Sequence, residues 1–148
     1  MAWTPDTLLV DMSPAECEEH LRSATLGRIG VVVDGHPAVF PICHVYLDGV
    51  LAFPTSAGTK LHGALDWPFV SYEVDGISAD GLSGWSVMVA GRAEELHDEE
   101  QQARLAAARD VPWRRSPTLR WIQIVASEIT GRRITAAGGA KGAPVNGG

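Results

Sequence analysis

The chain has 148 residues, 45% hydrophobic and 20% charged, which fits one soluble globular domain with a single core. Its formal net charge of -6 argues against nucleic acid or an anionic membrane surface as the main partner. No apolar run approaches the roughly 20 residues that span a bilayer. The two cysteines, Cys17 and Cys43, lack the spacing of a disulfide framework or a metal site, so we expect a reduced, cytoplasmic protein.

The first predicted element is a short amphipathic helix that begins after Ser13. Ser13 is a favourable N-cap, Pro14 suits the first helical position, and Glu16 completes a capping box. We interpret Cys17 as a small buried hydrophobic residue, and the helix as a cover for another element, such as one end of a barrel. Residues 1–12 are predicted to be an N-terminal extension of a single domain over residues 13–134.

Three strand-like runs follow, joined by Asp34-Gly35 and Asp48-Gly49. Asp-Gly between apolar runs is a strong signal for a two-residue hairpin, because a type I′ turn needs positive φ at both central residues. The pattern therefore predicts an antiparallel meander.

The second of these runs contains Pro41, which has no N–H to donate to a strand ladder. Proline within a strand indicates an edge, a bulge or a bend. A bend here would leave the backbone of Ile42, Cys43 and His44 partly free to bind a ligand. A kinked strand without a ligand is an equally weighted alternative.

The third run ends in a small polar segment at the start of a predicted helix over residues 59–65. Thr59 or Ser56 could cap this helix, and Thr55, Gly58 and Lys60 lie beside it. Free amides and the dipole at a helix N-terminus favour an anion such as phosphate. The segment lacks P-loop spacing, so capping alone, with a solvent-exposed lysine, is the alternative.

The second half of the chain predicts more strands around one further helix. The elements are strands over 69–74 and 85–96 with a loop over 76–84 between them, a helix over 98–108, strands over 119–125 and 128–134, and a flexible Gly/Ala-rich tail over 135–148. Trp85 would be either a core anchor or an exposed aromatic platform. Arg92 would pair with a carboxylate across the sheet or with an anionic ligand.

The chain is predicted to contain six to seven strands and three short helices, without the regular alternation of strand and helix that βαβ units show. This pattern predicts a mainly β (α+β) fold, an antiparallel barrel with short covering helices. No Ser/His/Asp or metal-ligating constellation has a recognisable spacing, so no catalytic or metal-binding residue is assigned. A bound cofactor could still supply the chemistry.

Four strings in this order resemble the pyridoxamine 5′-phosphate oxidase-like, FMN-binding split-barrel superfamily, especially its small actinobacterial members. They are SPAECEEHLRSATLGRIGVVVDGHPAVFPICHVYLDG, VLAFPTSAGTKLHGAL, SGWSVMVAGRAEEL and WIQIVASEITGRRI, which together cover about residues 13–134. The resemblance implies a split β-barrel and a homodimer that holds FMN at the subunit interface and acts on a small molecule.

The resemblance also implies a cofactor site made of three segments. The first passes beside the isoalloxazine ring and bonds its edge through the backbone: Pro41, Ile42, Cys43 and His44. The second contacts the ring or ribityl chain and then the phosphate: Thr55, Ser56, Gly58, Thr59 and Lys60. The third approaches the flavin from the partner subunit: Trp85 and Ser86.

The function that this resemblance implies is an FMN-dependent oxidoreductase. The chain lacks the paired basic motif and the C-terminal arginine–histidine pattern of the true pyridoxamine phosphate oxidases, for which Arg132-Arg133 is only a partial echo. The substrate is therefore not predicted. One alternative is a reductase that uses the deazaflavin F420, whose longer anionic tail would need Lys60, Arg92 and Arg114-Arg115. The other is a non-catalytic flavin- or haem-binding protein, with His44 of interest for haem.

Overall fold

A computed structural model describes residues 7–109 and 119–136. In chain order the elements are β1 (Thr7–Asp11), α1 (Pro14–Ser23), β2 (Leu26–Val33), β3 (His36–Cys43), β4 (Val45–Leu47), β5 (Val50–Ser56), α2 (Lys60–Ala64), β6 (Phe69–Ile77), β7 (Ser83–Leu96), α3 (Glu99–Ala108) and β8 (Leu119–Ala136). The described strands form one antiparallel sheet in the order β3-β2-β6-β7-β8-β5-β4, with β1 beside β8. The predicted split-barrel class is confirmed, with eight strands rather than six or seven.

Both Asp-Gly turns have the predicted geometry. Asp34 and Gly35 have φ of 50° and 78°, and Asp48 and Gly49 have φ of 51° and 78°, as type I′ turns require. The prediction of one continuous meander is wrong, however. The long second run breaks at His44 into β3 and β4, which lie at opposite ends of the sheet order. The chain thus crosses from one end of the sheet to the other at this residue, and contacts between β3 and β5 close the barrel.

The barrel interior is filled by alternate apolar side chains from several strands, as the two-residue period of strands requires. Ile29, Phe53, Tyr72, Val87 and Ile124 belong to this core. A second, smaller cluster around Leu105 and Trp121 fixes α3 against β4, β5 and β8. None of the described helices is long and apolar enough to cross a membrane.

The first helix covers one end of the barrel, as expected from its sequence. The Ser13–Glu16 capping box is present, and Cys17 and Leu21 are buried. Burial raises the pKa of the Cys17 thiol, which agrees with its interpretation as a hydrophobic residue. A Cβ atom at Gly131 would lie 2.5 Å from Cys17 Sγ, so this glycine of β8 allows the helix to approach the sheet closely.

The last described strand differs from the sequence prediction, which placed two strands here with a break at Ala126-Ser127. β8 is a single strand of 18 residues, and the break is a β-bulge: Ala90 pairs with Glu128 whereas Gly91 pairs with Ala126. Ser127 is the extra residue, and its hydroxyl donates to the carbonyl oxygen of Ala90 over 3.0 Å. Polar, small residues signal a bulge and a turn alike, so the sequence pattern could not distinguish them. The pairing of β1 with β8 was also not predicted.

Substituting Gly91 by alanine tests the tight packing at this bulge. A Cβ atom at this position would lie 2.3 Å from the backbone oxygen of Val125, which cannot move without disturbing the β7–β8 ladder. We expect Gly91→Ala to lower the free energy of unfolding by about 1–3 kcal/mol in urea denaturation. Gly63→Ala is the control, because its Cβ would meet nothing within 4 Å. Equal stability of the two variants would contradict this account.

Candidate functional site

Two strand edges of the barrel lie side by side without a strand between them. Among the described strands, β3 pairs only with β2, and β5 is covered by β4 only over Val50–Ala52. Residues 53–56 of β5 therefore pair with β8 alone. Because β3 and β5 contact each other, the free edge of residues 41–43 and the free edge of residues 53–56 form one seam. Unpaired backbone groups along this seam can accept or donate hydrogen bonds to a ligand.

Proline residues shape the free edge of β3. In a two-residue hairpin the residues flanking the turn form a hydrogen-bonded pair, here Val33 and His36, and the pairing then alternates along the strands. The backbone nitrogen and carbonyl groups of Pro37 and Pro41 accordingly point away from β2. The N–H that proline lacks would not have bonded to β2, so the β2–β3 ladder loses no hydrogen bond. The expectation that Pro41 marks an edge is confirmed. The N–H of Cys43 follows on the same free side, which makes it a donor at the seam.

His44 holds the chain at the point where it crosses the barrel. Its side chain is 0% exposed, with Nε2 2.8 Å from the carbonyl oxygen of Leu21 and Nδ1 2.5 Å from the Tyr72 hydroxyl. A carbonyl oxygen only accepts, so Nε2 carries the proton and Nδ1 accepts from Tyr72. Burial lowers the pKa of His44, which keeps the ring neutral. His44 is therefore a hydrogen-bonded structural residue: both ring nitrogens are occupied, and neither can ligate a haem iron in this conformation.

The backbone around His44 is fixed as well. The N–H of His44 donates to the carbonyl oxygen of Thr25 over 3.2 Å, so this group is not free for a ligand as the sequence had led us to expect. The Tyr72 hydroxyl also lies 3.3 Å from the carbonyl oxygen of Ile42. Gly27 makes room for Tyr72, since a Cβ there would lie 2.3 Å from the hydroxyl oxygen. Tyr72 and Gly27 were missed in the sequence, where they read as ordinary strand residues.

The second predicted segment leads from β5 to α2. Thr55 is buried on the inner face of β5, and Ser56 is half-buried. Thr59 is the N-cap of α2: its hydroxyl donates to the carbonyl oxygen of Ser56 over 2.8 Å and accepts from His62 N–H over 3.1 Å. Gly58 has a φ of +82°, which other residues rarely adopt. The capping alternative is therefore confirmed for Thr59, and a helix of only five residues provides little dipole for an anion.

Lys60 is exposed and forms no ion pair with any residue that the structure describes. It lines a groove of about 530 Å³ between α2 and the turn that joins β2 to β3. Lys60 thus combines a positive charge with open space beside the seam. These are the properties that a residue facing a phosphate needs.

The third predicted segment, Trp85 and Ser86, lies far from residues 55–60 in the fold. Trp85 packs against the core as a half-buried residue and stacks on His20 of α1, with ring centroids 3.7 Å apart. Trp85 pairs with Arg133 of β8, whereas Thr55 pairs with Arg120, thirteen residues away in the same strand. This separation corresponds to roughly 40 Å along β8. One copy of the chain therefore does not bring Trp85 and Ser86 to the segment of residues 55–60.

The expected pairing of Arg92 with a carboxylate across the sheet is wrong. Its Nε atom lies 3.0 Å from the carboxylate of Glu94, two residues further along β7. Residues i and i+2 of a strand share one face, and this local pair had been overlooked. Arg132 lies 3.9 Å from the carboxylate of Asp11, and Arg133 pairs with Glu16. Arg114-Arg115 and the tail from residue 137 lie outside the described residues.

An acidic pair on the outer face of the sheet was not singled out as a site. Glu73 and Asp75 lie two residues apart on β6, so both side chains face away from the core. Burial, together with a hydrogen bond and like charge from Asp75, raises the pKa of Glu73 to about 7. Arg28 lies 3.7 Å from Asp75 and opposes this rise. This raised pKa makes the outer face sensitive to pH near neutrality.

The comparisons with known proteins agree with this architecture. The family model described as pyridoxamine 5′-phosphate oxidase matches residues 13–133. An FAD-binding protein from Mycobacterium smegmatis is 35% identical, with a TM-score of 0.72 over 84% of this chain and 98% of that one. An FAD-binding protein from Mesorhizobium loti is 27% identical, with a TM-score of 0.75 over 87% of this chain and 98% of that one. An uncharacterised protein of Mycobacterium tuberculosis, Rv0080, is 30% identical over 86% of this chain and 87% of its own.

The chain belongs to the pyridoxamine 5′-phosphate oxidase family. The resemblance inferred from the four sequence strings is thereby confirmed at the level of family and fold.

The buried His44 predicts a pH dependence of stability. Its folded pKa lies below the ordinary value of 6.5, so the unfolded chain takes up a proton first as the pH falls. In a Glu73→Gln background, which removes the competing titration, we expect the free energy of unfolding to decrease from pH 6.5 to pH 5. The slope should approach, and not exceed, about 1.4 kcal/mol per pH unit for one proton. Urea denaturation at several pH values measures it. A slope that persists after a further His44→Gln substitution would contradict the assignment.

Proposed function

We propose that the chain is a flavin-dependent oxidoreductase that acts on a small molecule and holds its flavin between two copies of itself. The observation that carries this proposal is the seam between β3 and β5 in a member of this family. The seam offers free backbone groups close to Lys60, which forms no ion pair among the residues described. The FAD-binding proteins that resemble the chain at 35% and 27% identity support it.

The described residues fit the part of the molecule that FMN and FAD share. Free strand edges present amide and carbonyl groups, with Cys43 N–H as one donor, to the polar edge of an isoalloxazine ring. Thr55 and Ser56 end the neighbouring edge, where hydroxyl groups suit the ribityl chain. Lys60 would pair with the phosphate. The space next to Gly58 is open, since a Cβ there would meet nothing within 4 Å.

A bound flavin supplies electron or hydride transfer to the reaction. The chain itself would then bind and orient the cofactor and exclude water, without a clustered side-chain acid and base. Trp85 and Ser86 would complete the site from the second copy, because they lie far from residues 55–60 within one chain. The resemblance implied FMN, and the site described so far fits the half that FMN and FAD share. A cytoplasmic location stays a prediction.

The outer face of the sheet is the surface that we propose for dimerisation. Gly30 of β2 pairs with Ser71 of β6, which pairs with Ala90 of β7. Because glycine has no side chain and those of serine and alanine are small, this row is flat. Exposed apolar side chains surround the row: Val39, Phe69, Met88 and Val125. A flat face of this kind, with charged residues at its rim, suits packing against an identical face through a two-fold axis.

Titration of the purified protein with flavins tests the function. We expect FMN and FAD to bind, with flavin absorbance near 375 and 450 nm, roughly as for the free cofactors. Lys60→Ala should weaken FMN about 10- to 100-fold and riboflavin by less than about twofold, because only FMN carries the phosphate. Arg22→Ala, which removes an exposed cation on α1, is the control.

The same titration separates the alternatives. Failure of every flavin to bind, with tight binding of the deazaflavin F420, would replace the proposal by the F420-dependent alternative. Flavin binding without NAD(P)H turnover in the presence of artificial acceptors would replace the oxidoreductase by a non-catalytic binding protein. Equal effects of Lys60→Ala on FMN and riboflavin would remove the lysine from the phosphate site.

Ser71→Arg tests the dimer. Ser71 is exposed on the outer face of β6, so the substitution should leave the barrel folded and yet place two long charged side chains in the flat interface. We expect a dimer for the parent chain and a monomer for the variant in sedimentation experiments, with flavin affinity lowered at least tenfold. Ala103→Arg, on the exposed side of α3, should leave both properties unchanged. A monomeric parent chain that binds flavin tightly would contradict the shared site.

A further inference from the structure

The groove beside Lys60 contains an aromatic platform that the proposed site does not use. Trp67 lines this groove, and 57% of its surface is exposed. Its ring contacts Phe69 edge-on, with centroids 5.6 Å apart and an interplanar angle of 67°. Successive backbone hydrogen bonds fix the turn that carries it: Asp66 N–H donates to Gly63 and Trp67 N–H to Ala64. An exposed tryptophan on a well-fixed turn is a preformed surface for a flat ligand.

The charges of the groove limit what this ligand can be. Lys60 at one side provides one positive charge, whereas Asp34 and Asp66 line the same groove with two carboxylates. Neither aspartate forms an ion pair among the described residues. A ligand that carries negative charges into the groove beyond the phosphate groups next to Lys60 would be repelled. A neutral aromatic group with amino and hydroxyl donors would be accepted, because carboxylates only accept hydrogen bonds.

We propose that this groove is the adenosine subsite of a flavin dinucleotide, in which Trp67 stacks on the adenine base. The inference rests on the proposed flavin site and extends it from the shared phosphate at Lys60. The volume of about 530 Å³ lies within the usual range for small-molecule sites. The adenine amino group and the ribose hydroxyls are donors suited to Asp66 and Asp34. The groove therefore selects FAD over FMN, and it disfavours the anionic tail of F420.

Equilibrium titration of the full chain with FMN, FAD and F420 tests this subsite. We expect FAD to bind about 10- to 100-fold more tightly than FMN, within the range that base–aromatic stacking provides. Trp67→Ala should remove this preference by weakening FAD while it leaves the FMN dissociation constant within about twofold. Trp67→Phe should retain most of the preference, because a phenyl ring also stacks. Leu9→Ala is the control for loss of an exposed apolar side chain, since Leu9 is 50% exposed on β1.

Three outcomes overturn the subsite, and they differ from failure of the proposed function. If FMN and FAD bind equally to the parent chain, the groove contributes nothing to affinity. If Trp67→Ala weakens FMN and FAD by the same factor, Trp67 serves the shared site or the dimer rather than adenine. If F420 binds more tightly than FAD, the charge argument is wrong. If no flavin binds at all, the proposed function itself is overturned.

Discussion

The hydrogen bonds of one buried histidine determine where this barrel is split. The His44 ring bridges the last part of α1 and the Tyr72 hydroxyl of β6, and it does so at the residue where β3 ends and β4 begins. A strand that continued straight would direct this polar ring out of the core or leave it unpaired, at a penalty of about 1–3 kcal/mol. The chain instead crosses to the other end of the sheet. The free edges of β3 and β5 exist because of this crossing.

Free strand edges invite unwanted pairing, and the chain limits this risk with proline. Pro37 and Pro41 occupy positions of β3 whose backbone faces away from β2, so they remove donors from the free side without disturbing the β2–β3 ladder. Another strand would find too few N–H groups there to form a regular ladder. A planar ligand needs only one or two hydrogen bonds. The same edge can therefore resist strand addition and remain open to a cofactor.

Local features were predictable from the sequence because short-range geometry determines them. The Asp-Gly turns, the Ser13 cap and the N-cap at Thr59 depend on residues at most four positions apart, and the structure confirms all three. The break at His44 depends on Leu21 and Tyr72, which are remote in sequence, so strand periodicity could not reveal it. The three proposed site segments follow from the family resemblance. That the third, Trp85 and Ser86, lies far from residues 55–60 within one chain is shown only by the register of β8.

The two surfaces with proposed ligands adjoin each other, because Trp67 of the groove contacts Phe69 beside the flat row, and they are assigned different tasks. The flat row on β2, β6 and β7 would bring a second copy, whereas the groove of Trp67 lies between α2 and the β2–β3 turn. Pairing of chains would thus supply the ring-binding partner residues, and the groove would discriminate between flavins by their adenosine half. The chemistry at the ring and the choice of cofactor are then set by separate residues of one small chain.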